Sequence, residues 1–71
     1  MSKLQEKRKE HGFSQRHLAM MSGVSIRTLQ YYEQGVLDIN KASAATVYRL
    51  AFALGCHMED LLDLDALSIH E

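Results

Sequence analysis

Apolar residues recur at three- and four-residue spacing in short blocks along this chain, and the blocks are separated by single glycines at Gly12, Gly23, Gly35 and Gly55. That period belongs to helices with one buried stripe, and a glycine just past each stripe supplies the left-handed residue that ends a helix. The pattern predicts five helices. The first runs from Lys3 to about His11 with Leu4 and Arg8 one turn apart, after a loose Met1 and Ser2. The second starts at a Ser14 cap and turns Leu18, Ala19 and Met21 or Ser22 inward, with Met20 and Met21 filling gaps in the core. Ser25 caps the third, Ile26 to Gln34. Asn40 or Ser43 caps the fourth, which ends at Leu54 and carries Val47, Leu50, Ala51 and Leu54 on one stripe. Met58, Leu61 and Leu62 mark a fifth, from Met58 to about Leu64.

The second and third blocks are joined by about three residues, too few for their helices to lie side by side. They must cross steeply about Gly23, which is a helix-turn-helix. On the third helix, at 100° per residue, Leu29, Tyr32 and Glu33 share one side and Arg27, Gln30, Tyr31 and Gln34 the other. The second set carries a guanidinium, two amides and a phenol, groups that reach base edges and phosphates. Glu33 is a charge on the inward side, as is Arg8 on the first helix. An unpaired buried charge is costly, so the two are expected to meet in a salt bridge.

Composition narrows the picture. At 71 residues the chain makes one domain, with its core over about 3–64 and a tail or subunit contact over 65–71. Apolar content of 46% with 24% charged is ordinary for a globular protein. There is no apolar run of membrane-spanning length, and Lys3 to Lys9 lacks the apolar centre of a signal peptide, so a cytoplasmic protein with no membrane partner is expected. The single Cys56 suits a reducing compartment. The net charge of -1 conceals a gradient: residues 1–37 hold six Lys or Arg against three acids, a balance of +3, and residues 38–71 hold two against six, a balance of -4. The positive end includes the helix-turn-helix.

The segments GFSQRHLA, GVS, LQYYEQG, VYRLAFALG and MEDLL, with Leu4 and Arg8 before them, resemble the XRE, or Cro and phage-repressor-type, helix-turn-helix domain over nearly the whole chain. The run SIRTLQYYEQG is also similar to a MerR-type stretch. Proteins of that type, however, begin directly with their helix-turn-helix and follow it with a wing, whereas this chain has a helix before the stretch and no wing after it. The XRE resemblance implies an all-α, five-helix, lambda-repressor-like fold that binds double-stranded operator DNA as a homodimer and represses transcription.

By that resemblance Gln15 clamps a phosphate, with Arg16 beside it at a helix N-terminus that attracts anions. Ser25, Ile26, Arg27, Thr28 and Tyr31 then face the groove, as does Gln30 on the polar face, and Lys41 precedes the fourth helix where phosphate is touched. It also implies the pairing of Arg8 with Glu33. Arg27 is the first choice for a base contact, since a guanidinium holds guanine O6 and N7 together. Leu64, Leu67 and Ile69 are offered as a dimer contact that sets two reading helices about 34 Å apart. The alternative is an antitoxin-type module that binds a toxin protein and only autoregulates through DNA. No enzyme is expected, for there are no paired carboxylates, no nucleophile beside a base and no phosphate loop. Cys56 and His57 adjoin without a second cluster, so neither a metal nor a cofactor is expected, and no small-molecule ligand is evident.

Overall fold

The computed structural model describes residues 2–67. Among them are four α-helices: α1 (Lys3–Glu10), α2 (Gln15–Ser22), α3 (Ile26–Gln34) and α4 (Ala44–Leu54), with single 3₁₀ turns at Ile39–Lys41 and Met58–Asp60. Each helix begins at a serine. The hydroxyls of Ser2, Ser14, Ser25 and Ser43 accept hydrogen bonds from the backbone N–H groups of Gln5, His17, Thr28 and Thr46 respectively, giving otherwise orphaned donors a partner. Ser2 is therefore a fixed cap, not the loose end the sequence suggested. Ser43, not Asn40, caps α4.

The core is built from Leu4 of α1, Leu18 of α2, Val24 of the turn, Leu29 of α3, the stripe Val47, Leu50, Ala51 and Leu54 of α4, and Leu61 beyond it. α2 packs against both α3 and α4, so it is the hinge pin of the molecule, while α1 leans on α3. Phe13, Ala19 and Tyr32 are half-buried around this centre, as expected of an anchor, a close-approach residue and an inward phenol. Met20 and Met21 do not fill the core. Met20 is 76% and Met21 47% exposed, because Leu18 and Ser22 take the inward positions of this two-turn helix and leave the methionines on its outer face.

The expected fifth helix is also absent. Its segment makes one 3₁₀ turn, in which Asp60 Oδ2 accepts from the His57 N–H and the Asp60 N–H donates to the His57 carbonyl. A helix continued through Asp63 would send that residue's N–H to the carbonyl four residues back. Instead it donates to Asn40 Oδ1 at 2.9 Å, while Asn40 Nδ2 donates to the Asp63 carbonyl at 2.9 Å. This reciprocal clamp pulls the chain across to the Ile39–Lys41 turn once Leu61 has been buried. Leu64 is half-buried and Leu67 is exposed, and Ile69 lies outside the described residues.

Candidate nucleic-acid interface

Three residues, Gly23, Val24 and Ser25, turn α2 into α3. Gly23 sits at φ 75° in the left-handed region, and its N–H donates to the Ala19 carbonyl. Val24 is driven into the core, and its N–H donates to Ser22 Oγ at 3.2 Å. Ser22 in turn donates to the Ala19 carbonyl, so a buried hydroxyl locks the turn from inside. The sequence offered Ser22 only as an alternative to Met21 on the inward face; its part in the turn was not legible, because a serine at a helix end reads as a solvated residue.

α3 is thereby held with Leu29 and Glu33 buried and Tyr32 half-buried, while Arg27 and Gln34 are exposed. Gln30, Tyr31 and Thr28 are half-buried at the margins, and Ile26 at 37% exposure stands at the start of the same face. Ser25 and Thr28 are engaged with one another, since Ser25 Oγ donates to Thr28 Oγ1 at 2.8 Å and accepts from the Thr28 N–H. Both hydroxyls thus serve the start of α3. Arg16 is exposed in the first turn of α2, and Lys41 is exposed in the 3₁₀ turn before α4. Asn40 beside it is committed to Asp63.

Behind this face lies the expected ion pair. Arg8 Nε donates to Glu33 Oε2 at 2.7 Å and Nη2 to Oε1 at 2.9 Å, a two-pronged contact. Nη1 donates to the Phe13 carbonyl at 2.8 Å. The Glu33 side chain is 1% exposed and that of Arg8 10%. The hydrogen bonds that Arg8 donates to Glu33 raise the arginine pKa, against a lowering by burial, so the guanidinium stays charged throughout the range in which proteins fold. Gln15 joins the pair: its Nε2 donates to Glu33 Oε1 at 3.1 Å and its Oε1 accepts from Gln30 Nε2 at 3.3 Å. Every buried side-chain nitrogen and oxygen among the described residues has a partner. The connection from Gln15 to Gln30 could not be read from the sequence, because which amide a glutamine meets depends on the crossing of two helices.

Elsewhere the chemistry is sparse. Cys56 is half-buried, and burial, then Asp60, push its thiol up, so it stays protonated at neutral pH. No group of three or more His, Cys, Asp or Glu side chains that could hold a metal occurs among the described residues, and none of their helices is long and apolar enough to cross a membrane. An open groove of about 580 Å³ lies on the Tyr32 side of α3, lined by Leu4, Leu37, Ile39 and Leu61. Tyr48 and Phe52, one turn apart on α4, are 57% and 74% exposed with ring centroids 6.0 Å apart. They lie off the buried stripe at helical spacing, which is the signal that could have identified them in the sequence.

A search of curated proteins and a search of solved structures each return no match. The helix-turn-helix family model matches residues 4–61, from the first core leucine to the last. That span holds α1 to α4, the steep α2–α3 turn and the Arg8–Glu33 pair. The family is one of DNA-binding regulators and not of enzymes. This chain belongs to it: it carries a helix-turn-helix domain of the Cro/C1, or XRE, type.

Proposed function

We propose that the protein is a sequence-specific transcriptional repressor that binds an inverted-repeat operator as a homodimer, reading bases through α3. One observation carries this reading: Arg27 and Gln34 stand exposed, with Gln30 and Tyr31 half-buried at the margins of the same polar face, on a helix whose Leu29 and Glu33 are buried and which a buried ion pair locks to the rest of the molecule. A rigid polar helix that stands proud of its domain suits the major groove, whose width admits one α-helix. Gln15 and Arg16 at the start of α2 and Lys41 before α4 are the backbone contacts in this arrangement, and Ser25, Ile26 and Thr28 bring the N-terminal turn of α3 to the groove wall. Phosphate contacts of this kind set register, while the α3 side chains specify bases.

The exposed Tyr48 and Phe52 supply apolar surface for the second copy. The same surface could instead take a toxin, and the two occupants predict different DNA sites: a homodimer selects two half-sites in inverted order, whereas a toxin-bound monomer selects one. Selection of bound sequences from a random duplex pool therefore tests the proposal. It is expected to return a pseudo-palindrome with half-site centres about one helical turn apart. Arg27→Ala is expected to abolish the preference at one base position per half-site, where guanine is favoured, at a discrimination of about 1–3 kcal/mol. A pool that shows no enrichment overturns sequence-specific reading, and unpaired half-sites overturn the dimer.

A further inference from the structure

The hydrogen bonds behind α3 run in a single direction, and that direction fixes what its glutamine can present. Glu33 is buried and bonded twice by Arg8, so its carboxylate is ionised and can only accept. The Gln15 atom 3.1 Å from Glu33 Oε1 must therefore be the amide nitrogen, which turns the Gln15 carbonyl oxygen toward α3. The Gln30 atom 3.3 Å from that oxygen must in turn be its own amide nitrogen. Flipping Gln30 would set its carbonyl against that of Gln15, and flipping Gln15 would set a carbonyl against a buried carboxylate. What remains to Gln30 for an outside partner is its carbonyl oxygen and one N–H.

An acceptor and a donor side by side complement one base edge in the major groove, that of adenine, whose N6 amino group donates and whose N7 accepts. Guanine offers two acceptors there and leaves the Gln30 carbonyl unmatched. We propose that Gln30 is an adenine-specifying residue and that Gln15 is a positioning residue for it, its polarity set by the buried Arg8–Glu33 pair. This assignment rests on the reading of α3 as the base-contacting helix and goes beyond it in naming the base and the device that selects it. Gln15 retains one N–H for a phosphate oxygen, so the same side chain joins backbone contact to base choice.

The test is selection from a random duplex pool with the wild-type chain and with Gln30→Ala, Gln30→Lys and Gln15→Ala, each shown to melt cooperatively. The wild type is expected to fix adenine at one position of each half-site. Gln30→Ala is expected to reduce discrimination there on the order of 10- to 100-fold and to leave other positions unchanged. Gln30→Lys places an ammonium that donates both to Gln15 Oε1 and to guanine, so the preferred base is expected to switch to guanine. Gln15→Ala frees the Gln30 amide to rotate, and is expected to blur adenine against guanine at that position while weakening all sequences alike through the lost phosphate contact. An enriched site indifferent to Gln30, or one with another base at the position it controls, overturns the assignment and leaves DNA reading intact. Retained adenine preference in Gln15→Ala overturns the positioning role. A pool with no enrichment overturns both the assignment and the reading on which it stands.

Discussion

Arg8 and Glu33 are 25 residues apart, yet their meeting is the most consequential contact made by individual side chains. A buried pair of this kind contributes little net stability over an apolar pair of the same size, since desolvation of both charges offsets their attraction. Breaking it, however, strands a charge. Glu33→Ala, which leaves the guanidinium facing a cavity, is expected to cost about 3–5 kcal/mol. In a domain of this size that lowers Tm by roughly 12 °C or more. The double variant Arg8→Met, Glu33→Leu should recover much of the loss, a comparison that thermal melts of the three chains would make directly; a single variant that melts with the wild type would show the pair to be decorative. The pair was legible in the sequence because each charge occupied an inward helical position beside a leucine. The Gln15–Gln30 bond was not, since both residues read there as independent polar groups. Met20 and Met21 misled for a related reason: apolar character carries no direction until the competing inward residues of the same helix, here Leu18 and Ser22, are placed.

Helix α2, the turn and helix α3 are specified by backbone chemistry more than by side-chain packing, which is why this element could be placed from the sequence almost to the residue. Gly23 is the position where that chemistry is least replaceable. A Cβ built there meets nothing within 4 Å, so space is not the constraint; the positive φ is. Gly23→Ala is accordingly expected to destabilise by about 1–2 kcal/mol, the cost of a left-handed L-residue, with Gly23→Asn costing less. Chemical denaturation would measure both. If alanine proves as costly as a buried cavity, something other than backbone conformation is acting. The fifth helix shows the converse. Met58 to Leu64 has adequate helical spacing, but the clamp between Asn40 and Asp63 diverts its backbone, and a clamp between residues 23 apart leaves no local trace in the sequence.

Across the whole molecule the charge gradient read along the chain becomes a gradient in space only in part. Removing the neutralised Arg8–Glu33 pair leaves Lys3, Lys7, Lys9, Arg16 and Arg27 as the cations of the first half. Lys3 and Lys7, however, line one groove with Glu59, Asp60 and Glu10, so acidic side chains stand near them, and Lys7 Nζ lies 3.9 Å from Glu10 Oε2. Of the exposed cations that remain, Lys9, Arg16, Arg27, Lys41 and Arg49, the proposed docking puts Arg16 and Lys41 at phosphates and Arg27 in the groove, where on random duplex it too meets phosphate. A slope of about -0.9 in log affinity against log salt per neutralised phosphate gives about -5 for a dimer making three such contacts per copy and about -3 for a monomer. Measuring affinity for random duplex across a salt series therefore tests orientation and stoichiometry together. Lys41→Ala is expected to reduce the dimer slope by about 2, one phosphate per copy. The variant with both Lys3→Ala and Lys7→Ala is expected to leave it unchanged, because those side chains line a groove whose other charged residues, Glu6, Glu10, Glu59 and Asp60, repel phosphate. Should the α1 double variant flatten the slope instead, α1 would be the element lying along the phosphates, and the outward face of α3 would have to be turned away from the duplex.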